Sequence, residues 1–248
     1  MVHSNSTLSV IIPARNEADN LKDCILEIVN ELQRNQIHHE ILVIDDGSTD
    51  NTLEVLSEIV KRTPTVRYIQ NDGDNGFGRA IRLGFEHYTG DAVALVMADR
   101  SDSPKNLVDY WNVINEGYEC AFGSRFIKGS KTYDYPKFKL LLNRIVNTLI
   151  RFAFQIDSND TTNAFKMYRR EVIDGCKPFI SPHFNLTVEI PLKAIIRGYS
   201  WQVIPITWKN RERGIAKLKL REMGSRYFFI IAYLWLEKFF SRGDYKRK

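Results

Sequence analysis

The chain has 248 residues, 44% of them hydrophobic, with 35 Lys and Arg against 30 Asp and Glu, a formal net charge of +5. That length suits one large α/β domain with a substantial core, and the mild basic excess fits phosphate-bearing ligands or an anionic membrane surface. With no DNA- or RNA-binding motif, nucleic acid is excluded as the expected partner; three cysteines, odd in number and without CxxC spacing, argue against a disulfide framework or zinc site and for a reducing cytoplasm.

Met1 to Thr7 is polar and lacks the apolar core of a signal peptide, so nothing in it argues for export. Leu8 to Pro13 is an apolar run ending in Pro-Ala-Arg-Asn-Glu, after which Leu21, Cys24, Ile25, Ile28, Val29 and Leu32 recur at helical intervals: strand, polar loop, amphipathic helix. Ile41 to Ile44 is a strand-length apolar run that delivers Asp45 and Asp46 to its carboxyl end, where open α/β sheets bind ligands. The alternative is that the two acids only cap the turn. Asn51 with Glu54 supplies a cap for the next helix, Pro64 breaks it, and Val66 to Ile69 is a third strand. This βαβαβ pattern implies a parallel sheet with helical crossovers.

Asn75 to Ile81 is a glycine-rich loop running into a helix, with Arg79 close by. It can cradle a phosphate against a helix amino terminus or merely make a turn, and it has neither dinucleotide-binding nor P-loop spacing. Ala92 to Met97 is a fourth strand, handing Asp99 and Asp102 to the same edge. Hard oxygen ligands beside a phosphate site suit Mg²⁺ or Mn²⁺; alternatively Asp102 and Ser103 cap the helix starting at Pro104. Glu119 to Phe126 is a further strand closing at Gly123-Ser124-Arg125. Lys137 to Gln155 is helical, with an apolar stripe of Phe138, Leu141, Leu142, Ile145, Leu149 and Phe152, and Lys137, Arg144 and Arg151 on another face. His183 to Arg197 reads as a helix carrying Glu189, Trp201 to Trp208 as a strand, and Lys209 to Lys219 as a basic loop around Gly214. Tyr227 to Leu236 is unbroken apolar sequence. At ~1.5 Å per residue Tyr227 to Phe240 spans roughly 21 Å, short of the ~30 Å hydrocarbon core.

The segments VIIPARNE, VIDDGSTD, NGFGRA, MADRSDSP, GSRF, DTTNAFKMYRREV and NRERGIAKL occur in this order between roughly Leu8 and Leu218. Together they resemble the family-two glycosyltransferases of the GT-A fold, and within them the dolichol- or polyprenyl-phosphate group. The resemblance implies an α/β, mostly parallel GT-A sheet over residues 1–220; residues 221–248, an aromatic-rich apolar segment with a basic tail, read from their own sequence as a helix lying at a membrane interface or, alternatively, packed on the domain or against a second subunit. The resemblance also implies that Glu17, Asp45 and Asp46 hold the base and ribose of a UDP- or GDP-linked sugar, with Pro13, Arg15, Gly76, Arg79 and Ala98 completing the donor pocket. Asp99 would carry Mg²⁺ or Mn²⁺ on the pyrophosphate, with Asp102 as a second ligand. Arg125, Lys139, Arg211 and Lys217, with Asn143, would meet an acceptor phosphate. Two departures stand out: Met97 replaces the first acid of the family's Asp-x-Asp motif, and Asn163-Ala164 stands where Ser-Gly is common, a change that bears on specificity.

The leading expectation is an inverting transferase using polyprenyl or dolichyl phosphate, in which Asp99, Arg125, Arg211 and Lys217 carry the chemistry. The enzyme would be peripheral on the cytoplasmic membrane face and capable of homo-oligomerisation. One alternative is a transferase acting on a saccharide hydroxyl, which needs Glu189 or Asp102 as base. Another, motivated by Met97, is a nucleotide-sugar-binding module without transferase activity.

Overall fold

Alternating apolar runs and helical stripes resolve, in a computed structural model that describes residues 6–211 and 220–247, into a sheet with helices on both faces. The first half follows the expected order: β1 (Leu8–Ala14), α1 (Ala18–Arg34), β2 (His39–Asp45), α2 (Thr52–Arg62), β3 (Val66–Gln70), α3 (Phe77–His87), β4 (Ala92–Leu95) and α4 (Lys105–Asn115). The second half adds β5 (Cys120–Ser124), β6 (Lys131–Tyr133), α5 (Lys137–Phe154), β7 (Lys166–Arg169), α6 (Arg170–Cys176) and α7 (Leu186–Ile196). It closes with β8 (Trp201–Pro205), β9 (Thr207–Lys209) and α8 (Leu220–Phe240).

The main sheet has strand order β3-β2-β1-β4-β7-β5-β8, and among its strands β7 alone runs antiparallel to its neighbours. The carboxyl ends of the others therefore meet at one edge. The chain order reverses between β1 and β4, the place where open α/β sheets bind ligands. Both faces are covered, which is why the strands read as near-continuous apolar runs. Val10, Ile12, Ile41 and Val43 pack under α1, α2 and α4, and Ile11, Leu42 and Ile44 pack under α3, α6 and α7. Each such side chain contributes roughly 1.5–3 kcal/mol on burial.

Several expected boundaries move for identifiable reasons. The single strand from Trp201 to Trp208 is two strands in two sheets. Pro205 ends the pairing of β8 with β5, and β9 then pairs with β6 because proline has no amide to continue a ladder. Asn51 occupies the N-cap position of α2 without a side-chain cap bond; Asp50 does this work, accepting from the Thr52 amide at 3.0 Å. Asp102 and Ser103 do not cap α4 with their side chains either.

The largest departure concerns α5. Its buried side is Asn147, Ile150 and Phe154, and the apolar stripe read from the sequence is turned outward, with Phe138 and Leu149 each 64% exposed and Phe152 87% exposed. α8 behaves similarly. Ile230 and Leu234 pack with Val188 and Leu192 of α7, while Phe228, Phe229, Leu236 and Phe240 remain exposed. No helix among the described residues is long and apolar enough to cross a membrane.

α8 is also tied to the body by a buried ion pair, Arg197 Nε to Glu237 Oε1 at 2.9 Å. Glu237→Ala leaves the Arg197 charge without its partner. We expect a loss of about 3 kcal/mol in urea unfolding, recovered in large part by the apolar double variant Arg197→Met/Glu237→Leu.

Candidate active site

The loops after β1 and β2 are laced together before any ligand is considered. Asn16, at φ 52°, accepts from the Thr49 amide at 2.7 Å, and the Glu17 amide donates to Thr52 Oγ1 at 3.0 Å. Pro13 is half-buried, Arg15 exposed and Glu17 half-buried at this edge, and Glu17 Oε2 accepts from Asn20 at 3.0 Å.

Asp45 and Asp46 divide their work. Asp46 accepts from the Gly76 amide at 2.9 Å and from Asn71 Nδ2 at 2.8 Å, so it staples the glycine loop. Asp45 Oδ2 accepts from the Ser48 amide at 3.3 Å, and its Oδ1 is buried with no hydrogen-bond partner among the described residues. A buried carboxylate oxygen without a donor is costly, and a ligand's N–H or O–H would relieve it.

The glycine-rich loop is packed against the 181–183 backbone. Gly78 N and Arg79 N both donate to Pro182 O, at 3.1 and 3.3 Å, and Gly76 N is taken by Asp46, so these three amides have partners within the protein. The glycines let the 181–183 backbone approach: a Cβ on Gly78 would sit 2.8 Å from His183 O and closer still to Ser181 O. Arg79 turns back on its own loop, pairing with Asp74 at 3.1 Å. Gly76 and Arg79 thus take part in the architecture of the loop.

After β4, Ala98 is buried, and Asp99 Oδ1 accepts from the Ser101 amide at 3.1 Å while Oδ2 pairs with Arg211 Nη2 at 2.7 Å. Arg100 adopts φ 60° and reaches Asp23, at 3.4 Å, and Glu27 on α1. Asp102 Oδ2 accepts from the Met97 amide at 3.4 Å. Burial, with the neighbouring Asp99 charge, pushes the Asp102 carboxyl up to about 7. The loop is joined to β9 by an Asp102–Trp208 bridge and by Lys209 N donating to Ser101 O at 2.9 Å.

Among the described residues no three His, Cys, Asp or Glu side chains gather as a metal cluster. Mg²⁺ and Mn²⁺ do not require one, because substrate phosphates and water complete their shells. Asp99 and Asp102, two buried carboxylates at the same sheet edge, supply the hard oxygen donors that such an ion takes.

Arg125 is not an open cation. Its guanidinium forms two 2.7 Å bonds with the carboxylate of Asp160, itself buried, and lies 5.4 to 5.6 Å from the rings of Phe126, Tyr135 and Trp208. The Asp160 charge holds it above the usual arginine range despite burial. It braces the 160–166 loop and at the same time lines the cavity described below. Lys166 supports the same loop from below, donating to Thr161 O at 2.9 Å and to Asn163 O, and burial pushes its ammonium down to about 7. Asn163 donates to Gly123 O at 3.2 Å, which holds the loop where Asn163 and Ala164 line the cavity described below. Asn143 donates to Thr162 Oγ1 at 2.8 Å. Glu189, the alternative base, is fully buried, paired with Lys193 at 2.8 Å and accepting two amides.

What remains is a cavity of about 220 Å³ that joins Asp99, Asp102 and Arg211 to Lys139, Trp208 and Tyr227. Lys217, Arg213 and Gly214 lie outside the described residues. Sequence reasoning missed Asp160, Lys166, Tyr135 and Trp208. Only Asp160 and Lys166 carried a signal, as charges bracketing an otherwise neutral loop.

Residues 9–176 match the model of the family described as Glycosyl transferase family 2. Curated relatives include a dolichol-phosphate mannosyltransferase of Pyrococcus furiosus, 33% identical over 86% of this chain and 59% of that protein. A polyprenol monophosphomannose synthase of Mycolicibacterium smegmatis is 31% identical over 84% of this chain and 80% of that protein. The chain thus spans under two thirds of the length of the Pyrococcus relative. In fold it is similar to glucosyl-3-phosphoglycerate synthase of Mycobacterium tuberculosis, solved with UDP (TM-score 0.69, 17% identity, covering 95% of this chain and 80% of that one). The same enzyme solved with Mn²⁺ and UDP-glucose gives a TM-score of 0.69 at 18% identity, covering 95% and 79%.

Gly78→Ala tests the packing of the glycine loop. Alanine gains about 1 kcal/mol of helix propensity, but the overpacking against Ser181 and His183 costs roughly 1–3 kcal/mol; we expect a net fall in melting temperature, measured by thermal unfolding. A phosphate cradle open to solvent would instead leave the melting temperature unchanged or raised.

Proposed function

The chain belongs to glycosyl transferase family 2, and on that footing we propose that it moves a sugar from a nucleoside-diphosphate sugar to a polyprenyl or dolichyl phosphate, with inversion at the anomeric carbon. One observation carries this reading. The cavity runs from Asp99 at the sheet edge to Lys139 on α5 and Tyr227 on α8, the two helices whose apolar side chains face outward. A charged cleft opening beside an apolar platform suits an acceptor with an ionic head and a hydrocarbon tail.

On the donor side, Asp45 offers its unpartnered oxygen to hydrogen-bond donors of the nucleoside, and Glu17 offers a carboxylate to ribose hydroxyls. Asp99, with Asp102, would hold Mg²⁺ or Mn²⁺, which supplies Lewis-acid stabilisation of the leaving diphosphate. On the acceptor side, a phosphate monoester is already anionic and attacks without losing a proton to a side chain. It needs cations that hold it in line, and Lys139 and Arg211 are the described candidates, with Lys217 in the segment that follows. Arg125 serves this site by bracing the 160–166 loop.

α5 and α8 would rest on the cytoplasmic face of the membrane as one amphipathic surface, the exposed aromatic and aliphatic residues at headgroup depth and Arg151, Arg226 and Arg242 toward anionic lipid. Residues 221–248 then act with α5 as an interfacial element rather than as a span.

A second reading retains one observation: Asp102, raised to about 7 by burial and Asp99, has the proton affinity of a general base for a saccharide hydroxyl. The two separate by acceptor. We expect the protein, with Mn²⁺ or Mg²⁺ and a panel of UDP- and GDP-sugars, to convert geranyl phosphate to a glycosylated product detected by mass spectrometry. Free saccharides taken as acceptors in its place would establish the second reading.

Asp99→Ala should lower turnover by roughly a hundredfold or more, the scale of a lost metal contact worth several kcal/mol, with an unchanged circular dichroism spectrum. Leu149→Asp/Phe152→Asp, at solvent-exposed positions of α5, should keep the melting temperature and reduce co-sedimentation with anionic vesicles. Wild-type protein that stays in the supernatant would exclude lipid docking.

A further inference from the structure

A second cavity, of about 410 Å³, opens between the 180–185 segment and the amino-terminal part of α8, within the ~300–1,000 Å³ range of small-molecule sites. It shares no described lining residue with the catalytic cavity. Asn185 forms part of its wall, at the N-cap position of α7 yet without a side-chain cap bond. An asparagine there ordinarily gives its oxygen to an amide of the first turn, but Thr187 N and Val188 N donate instead to the carbonyls of Phe184 and Asn185. Asn185 Nδ2 donates to Ser181 Oγ at 2.9 Å, and Oδ1 is left buried with no hydrogen-bond partner among the described residues. The residue is 3% exposed, so an oxygen without a donor is costly there.

Arg226 lines the same cavity, half-buried and with no hydrogen bond or ion pair among the described residues. The acid under this wall, Glu189, accepts from the Ile180 and Ser181 amides and is paired with Lys193, so it does not offset the Arg226 charge. Ile180, Pro182 and Phe229 supply the apolar part of the wall, and Ile180 and Phe229 are exposed.

We propose that this cavity binds the headgroup of an anionic phospholipid, with Arg226 on the phosphodiester and Asn185 Oδ1 accepting from a headgroup hydroxyl. The site rests on the reading of α5 and α8 as a membrane-facing platform, since Phe229 belongs to the platform and to the cavity alike. A guanidinium without a partner takes phosphate oxygens through charge-assisted hydrogen bonds. A lone acceptor oxygen asks for an O–H or an N–H; an ammonium would bring a second positive charge beside Arg226, so a neutral hydroxyl is the better match. Ile180 and Phe229 then meet the first methylenes of the lipid, and exposed Phe228 continues that apolar surface. Diffuse attraction to anionic lipid does not distinguish one singly charged headgroup from another, whereas an unpartnered oxygen does.

Phosphatidylcholine vesicles carrying equal fractions of phosphatidylglycerol or phosphatidylmethanol separate the two cases, because these lipids have the same charge and only the first has headgroup hydroxyls. Co-sedimentation is read at high salt, where long-range attraction is screened. Wild type should bind the phosphatidylglycerol vesicles about fivefold more tightly, the equivalent of one hydrogen bond. Asn185→Ala, which loses no cap bond, should bind both vesicles as wild type binds phosphatidylmethanol. Arg226→Gln should weaken binding to both about tenfold, the scale of one charge-assisted contact, and Arg242→Gln, at an exposed position outside the cavity, by much less. Equal binding of the two vesicles by wild type, a preference that survives Asn185→Ala, or a loss in Arg226→Gln no larger than in Arg242→Gln overturns the site and leaves the platform in place. Binding of wild type to neither vesicle overturns the platform and the site together. Soluble glycerophosphoglycerol, followed by calorimetry, should not saturate the protein at millimolar concentration; saturation there gives the cavity to a free phosphodiester and overturns the lipid.

Discussion

Buried carboxylates at the edge of a sheet must be compensated, and the means used at each one organise this site. Asp46 is met by an amide and an asparagine, Asp160 by a full guanidinium, Asp99 by Arg211, and Asp102 by the Met97 amide, with burial raising the proton affinity of its carboxyl. The first two compensations are complete and local, and they make architecture: one fixes the glycine loop, the other the 160–166 loop. Asp99 is compensated by a side chain that lines the cavity with it, and Asp45 keeps an oxygen with no described partner. Those are the places where ligand chemistry can replace protein chemistry without tearing the fold, because desolvated charge is costly only while it is unpaired.

The same logic explains what could and could not be read from the chain. β1 to β4 and the helices between them were legible because apolar runs and three- and four-residue stripes are local signals. Asp45, Asp46, Asp99 and Asp102 were legible as a group because strand ends in an α/β sheet share an edge. Their division of labour was not, since it depends on distant partners: Arg125 looks like an open cation until Asp160, 35 residues later, closes on it. The glycines of the NGFGRA segment allow a phosphate or a backbone to approach, and only the folded chain shows the backbone at Pro182 doing so. β7 went unread because it is four residues long and enters the sheet against the direction of its neighbours. The stripe on α5 was read correctly as a stripe, yet periodicity states that residues share a face and is silent about what covers it.

Those outward faces give the molecule its polarity. A conventional domain of this size turns the apolar sides of its helices inward, and α1, α2, α3 and α4 do so. α5 and α8 instead bury a narrow seam, Ile150 and Phe154 with Ile230 and Leu234, and leave the broader apolar area to the outside. The ion pair between Arg197 and Glu237 holds that arrangement against the body. The charged end of the cavity and the apolar platform are thus fixed relative to one another by packed structure.

The join between the 99–102 loop and β9 has a consequence for recombination. Asp102 bridges to Trp208, Lys209 N donates to Ser101 O, and Thr207 N donates to Asn106, so two segments a hundred residues apart in sequence form one structural cassette. A chimera that imports the first segment from a relative without an acceptor at position 106 and keeps the native second one would strand the Thr207 amide at the seam. The smallest transplantable unit of this edge is therefore discontinuous, two segments that must travel together.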